Sequence, residues 1–226
     1  MAVLGVDACR SGWIGIVLGD DGSVEGMYAP DIASLAAQAA ERAELTVIAV
    51  DMPIGLADAG GRAADVLART VVGPRWQSVF MVPVRAAFDE TTREAASRRN
   101  FELAGFGVTS QVFALRPRLI EVDQWVRSAS TRVIEVHPEV SFATLAGTPL
   151  RYGKKSWAGA AQRRSLLAGA GIPEDLGNAG EKAAIDDVQD AAVAAWSARR
   201  YAMGIAVPYP DPPEVFSDGH SSAIWA

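Results

Sequence analysis

The run Val3-Leu4-Gly5-Val6-Asp7 is joined to a second apolar run, Trp13–Leu18, by a segment too short to hold a helix. Strands connected this closely pair as an antiparallel hairpin, because a parallel return needs a crossover of about a dozen residues. Gly19-Asp20-Asp21-Gly22 is a turn, and Ser23–Tyr28 reads as a third strand of the same meander. Asp31 is placed to cap a helix from Ile32 to about Arg42, with Ile32, Leu35, Ala36 and Ala39 on one face. Leu45–Asp51 follows as another β-branched strand, and the helix before it returns it parallel to the first. Three antiparallel strands, a crossover helix and a parallel return define an α/β fold with a mixed sheet.

After Gly60-Gly61 the pattern changes. A short helix is expected near Arg62–Arg69, then an irregular loop over Val71–Ala87 carrying Arg75, Arg85 and exposed aromatics. Two helices follow, from Thr91 to about Leu103 and from Ser110 to about Val126, the second with a kink expected at Pro117. Arg132–Val136 is a further strand, ended by His137-Pro138. Glu139–Leu145 and Gly159–Ala170 read as helices, separated by a loop with Lys154-Lys155, and Ala183–Met203 as a long final helix. The expected organisation is one domain over residues 1–206, with a helical insertion over about 60–130, and a Pro-rich extended tail over 207–226.

Composition limits the function. The chain has 226 residues, half of them hydrophobic, and a net charge of −6. That balance argues against a general binder of the phosphate backbone, which presents a basic face, but leaves room for a nuclease with a local acidic site. The one cysteine, Cys9, excludes an internal disulfide and a thiolate zinc site. No leader-like stretch precedes Val3, and no apolar run reaches the roughly 18 residues of a membrane span. The expectation is a cytoplasmic protein without a membrane partner. No phosphate-binding glycine loop or serine nucleophile elbow is present.

Asp7 and Asp51 each close an apolar strand, at the end of the sheet where α/β folds build their sites. Paired carboxylates there suit Mg²⁺ or Mn²⁺, which take hard oxygen ligands; the bland alternative is that each bonds the loop amides after it. Asp186, Asp187 and Asp190 open the long helix, where they favour its dipole, but their spacing also puts one face toward the strand ends. Glu135 alternates with Ile134 and Val136, and a carboxylate inside a strand is paired, functional or at an edge. His137 is either a proton shuttle or a turn cap. Arg10, Arg75, Arg85, Lys154 and Lys155 either neutralise a substrate phosphate or are scattered surface charge.

Four stretches together carry a family resemblance: Gly5–Trp13, Asp51–Leu56, Glu135–Phe142 and Asp186–Ala191. With these motifs in this order the chain resembles the DUF429 family, usually described as predicted nucleases of the ribonuclease H-like fold. The resemblance runs from Val3 to about Trp196, with Ala8 standing where many relatives carry glycine. It implies a mixed five-stranded sheet, three antiparallel then two parallel strands, flanked by helices. It also implies two divalent ions, Mg²⁺ or Mn²⁺, held by Asp7, Asp51 and Asp187 or Asp190. Glu135 has no fixed counterpart in that set and joins it on its own pattern. The resulting expectation is a metal-dependent nuclease acting on DNA or RNA: Asp7, Asp51, Glu135 and Asp187 act in catalysis. Arg10, Arg75, Lys154 and Lys155 meet phosphate, and His137 shuttles a proton. The rivals are an ATP- or phosphate-binding phosphotransferase of the same superfamily and a non-catalytic binding module.

Overall fold

A computed structural model describes residues 1–173, 175–176 and 181–226. The meander is present as β1 (Ala2–Cys9), β2 (Gly12–Gly19) and β3 (Val24–Ala29), paired antiparallel in turn. Helix α1 (Ile32–Arg42) starts where the Asp31 carboxylate accepts from the Ser34 amide at 2.8 Å. Strand β4 (Leu45–Val50) then lies parallel to β1, and β5 (Arg132–Glu135) parallel to β4.

Successive side chains on a strand point to opposite faces, and that period sorts the core. Leu4 and Val6 of β1 and Ile48 and Val50 of β4 face one layer with Ile32 and Leu35 of α1. Val3, Val47, Ala49 and Ile134 face the other layer, built on α7 (Ile185–Ala202). That helix is a run of small residues, with Ala191, Ala192, Ala194, Ala195 and Ala198 wholly buried. Gly5 of β1 lets it approach: a Cβ there would stand 2.0 Å from the Ala195 nitrogen and 2.2 Å from the Ala191 oxygen. Glycine and alanine thus bring strand and helix backbones almost into contact.

The sheet differs from the expected five strands. Among the described residues it has seven, in the order β3-β2-β1-β4-β5-β7-β6. The two additional strands, β6 (Pro208–Val215) and β7 (Ser221–Trp225), come from the Pro-rich C-terminal segment. Strand β7 pairs parallel with β5, and β6 closes the edge antiparallel to β7. Prolines are tolerated there because an edge strand needs ladder donors on one side only. In β6 the pairing is made at the two ends, and the register shifts between Tyr209 and Glu214, across the proline-rich middle.

The insertion holds α2 (Ala63–Val72), a 3₁₀ turn over Gly73–Ser78, α3 (Arg93–Ala104) and α4 (Ser110–Val126). Helix α4 is assigned as one helix through Pro117. Two further helices, α5 (Pro138–Ala146) and α6 (Trp157–Gly169), cover the face of the sheet that carries α7. Among the described residues, no helix is long and apolar enough to cross a membrane.

Candidate metal centre

The strand period decides which carboxylates meet. Asp7 shares parity with Val3 and Gly5, and Asp51 with Val47 and Ala49, so both point toward α7. They stand level on adjacent parallel strands: Val6 pairs with Val50, and the Asp51 amide donates to the Val6 oxygen at 2.9 Å. Asp190 opens the alanine run that packs on Gly5 and reaches the same point. One oxygen each from Asp7, Asp51 and Asp190 lies within 4.8 Å of the others. Oxygens held 2.0–2.1 Å from one Mg²⁺ stand at most about 4.2 Å apart, so small side-chain movements would close this set on an ion.

The electrostatics of the group are unbalanced. Asp7 and Asp190 are buried and Asp51 is half-buried. Asp7 Oδ1 accepts from the Ala8 amide at 2.7 Å. Asp190 Oδ2 accepts from Lys154 Nζ at 2.5 Å, while its Oδ1 is buried with no hydrogen-bond partner among the described residues. Burial, reinforced by Asp51 and Asp190, pushes the Asp7 carboxyl well above its ordinary value. Burial also raises Asp51 and Asp190 to about 7, against the pull of Lys154. For Lys154 itself burial works against the charge, yet Asp190, Asp51 and Asp7 outweigh it and hold the ammonium above the usual lysine range. Lys154 thus pairs directly with Asp190 and lies in the field of Asp51 and Asp7. An orphaned oxygen and surplus negative charge in a set of hard donors fit a divalent cation.

The other acidic residues separate around this centre. Asp187 lines the cavity, but its Oδ2 accepts from the Ala184 amide at 3.3 Å, a capping role at the start of α7. Asp186 lies 3.9 Å from Lys154 Nζ. Glu135 has the opposite strand parity to Ile134. Its oxygens take the buried Arg62 guanidinium at 2.6 and 2.7 Å and the Ile54 amide at 2.8 Å. It borders the cavity yet stands outside the acidic group. Glu139, in the first turn of α5, is the acidic residue that strand patterning passes over. It is buried, lines the cavity, pairs with Arg163 at 2.5 Å and raises the Asp51 pKa. Its signal was its place two residues after His137, at the C-terminal end of a strand neighbouring β4.

The cavity over the centre holds about 610 Å³. Arg75, Lys154 and Lys155 line it, whereas Arg10 is exposed on the β1–β2 turn and does not. Arg85 is committed elsewhere, to Asp123 at 2.9 Å and Asp218 at 2.5 Å. His137 is half-buried at the mouth of α5, 3.4 Å from the Ser78 oxygen, and burial lowers its pKa.

The model of the family described as Protein of unknown function (DUF429) matches residues 5–215. The chain belongs to the DUF429 family. No curated protein and no solved structure matches it. The DUF429 match takes in Asp7, Asp51, Glu139 and Asp190, and extends through β6.

Proposed function

We propose that this DUF429 protein is a divalent-metal-dependent phosphodiesterase with a ribonuclease H-like core, acting on nucleic acid. The observation that carries the reading is the convergence of Asp7, Asp51 and Asp190 from β1, the end of β4 and α7, with one Asp190 oxygen left unpaired among the described residues. The order β3-β2-β1-β4-β5, antiparallel then parallel, supports the core assignment. Asp7, Asp51 and Asp190 would hold Mg²⁺ or Mn²⁺, with Glu139 beside them. Bound there, the cation supplies activation of water and neutralisation of charge on phosphoryl oxygens. The chain's own residues do the rest. Lys154 compensates part of the negative charge that would otherwise repel a phosphodiester. Arg75 and Lys155 present positive charge along the cavity wall. Glu135 ties the loop after β4 to α2 through Arg62 and the Ile54 amide, which fixes the backbone carrying Asp51.

The test combines a Mn²⁺ titration, read by thermal unfolding, with cleavage of labelled DNA and RNA oligonucleotides. The wild-type chain is expected to gain stability with millimolar Mn²⁺ and to cut; Asp51→Asn is expected to do neither. A chain unmoved by Mn²⁺ and stabilised by ATP would instead be a phosphotransferase, and one moved by neither a binding module.

A further inference from the structure

Close in sequence to Arg75, Gln77, Lys154 and Lys155, which line the acidic cavity, three aromatic side chains stand out in solvent. Trp157 is 86 % exposed, Trp76 49 % and Tyr152 40 %. Single exposed apolar residues are ordinary, but Trp76 and Tyr152 sit on two segments that touch each other, Trp157 opens the helix after the second, and both segments send residues to one cavity. Arg75 Nη2 donates to the Arg151 oxygen at 3.3 Å, and Gly153 lies against the same guanidinium, where a Cβ would stand 3.1 Å from Nη1. Gly153 in turn accepts from the Ser156 amide at 2.9 Å, which begins α6 at Trp157. Helix α6 is fixed beside the acidic helix, because Gln189, the neighbour of Asp190, donates to the Ala160 oxygen at 3.0 Å.

Cations are interleaved with the rings. The Arg69 guanidinium lies 5.4 Å from the Trp76 ring centroid, and that of Arg151 5.4 Å from Tyr152. Arg75 and Lys155 complete a basic strip on a molecule whose net charge is −6. Exposed π-faces alternating with cations describe a surface for unpaired bases on a phosphate backbone, since every base has a face to stack and every linkage a charge. A duplex hides those faces inside its stack.

We propose that the rim formed by Trp76, Tyr152 and Trp157 stacks the bases of single-stranded nucleic acid and feeds the strand to the carboxylates. The proposal deepens the phosphodiesterase reading and rests on it for the direction of feeding. Arg75 and Lys155 hold the backbone between the stacked bases and the cavity. The substrate class is therefore single strands, or the unpaired ends of duplexes.

The test uses the full-length chain carrying Asp51→Asn, so that the strand stays whole. Binding of a fluorescein-labelled oligonucleotide in Mg²⁺ is read by anisotropy and by quenching of tryptophan emission. DNA and RNA single strands are compared with the same sequences annealed. Single strands are expected to bind at least about ten-fold more tightly than duplex and to quench tryptophan. Trp157→Ala and Trp76→Ala are each expected to raise the single-strand Kd by about ten-fold, within the range for loss of one stacked base, and Trp157→Phe to restore most of it. Both side chains are exposed, so an unchanged melting temperature shows that the fold is intact. Equal affinity for duplex, or a Kd indifferent to both alanine variants, overturns the proposal. So does self-association lost in Trp157→Ala without any oligonucleotide binding, which assigns the rim to a second copy of the chain. Cleavage by the wild-type chain in Mn²⁺ is scored separately: stacking without cleavage removes the phosphodiesterase reading alone, and cleavage without stacking removes this one alone.

Discussion

Asp190 has one oxygen held by Lys154 and the other without a hydrogen-bond partner among the described residues, in a place closed to solvent. Such a group is costly unless something binds it, so either a proton or a cation stabilises it. Asp51 and Asp190 sit at about 7 in the folded chain and would return to about 4 on unfolding. A carboxyl with a raised folded pKa keeps a proton that the unfolded chain has released. Its stabilising contribution is therefore complete below about pH 4 and is lost as pH climbs through about 7. Without divalent cation, the urea midpoint should fall between about pH 4 and 7. Saturating Mn²⁺ should flatten or reverse that fall, because the cation takes the deprotonated form. Asp190→Asn should show a shallower fall and a lost Mn²⁺ response; a wild-type slope in that variant would contradict the assignment. Asp7 and Asp51 could be singled out in the sequence because each closes an apolar strand of the sheet. The choice of Asp190 over Asp187 could not be made there, since both open the same helix and only the packing of α7 distinguishes a capping side chain from a converging one.

Gly5 and the alanine face of α7 position that packing. A methyl group at residue 5 meets helix backbone, not a side chain that can rotate away. Gly5→Ala should cost about 3 kcal/mol or more, at or beyond the upper end for overpacking. It should also weaken the Mn²⁺ response, because α7 can yield only by moving Asp190 away from Asp7. Urea denaturation with and without Mn²⁺ reads both effects, and a wild-type midpoint would contradict the close approach. On the opposite face, Arg62 is wholly buried between Glu135 and Asp65. Arg62→Ala leaves two buried carboxylates without their cation, and should destabilise by about 3–5 kcal/mol. At roughly 2–4 °C per kcal/mol for a chain of this size, melting should drop by about 10 °C. Glu135 looked functional in the sequence because a charge within a strand demands a partner. The partner lies at the start of α2, far away in sequence, so no local pattern could supply it.

At the scale of the whole molecule, the meander, crossover helix and parallel return were legible from connection lengths. The last two strands were not, because prolines mask the pattern of an edge strand and β7 has no helix leading into it. Those strands are part of the core: Ile224 and Ala226 are buried, and Asp218 bonds the Leu56 amide and Arg85. A chain ended after Val207 should therefore lose cooperative unfolding by circular dichroism; retention of the wild-type transition would show that β6 and β7 are accessory.

The approach of α7 to Gly5 also imposes an order in time. During synthesis Asp7 leaves the ribosome before Asp190, with β4, the insertion and β5 made between them. Pairing across such separations is slow, so the nascent meander waits with a vacant groove above Gly5 until the last helix arrives. The acidic centre is thereby withheld until five of the seven described strands have been made, and a chain that stops short of α7 carries Asp7 and Asp51 but no site.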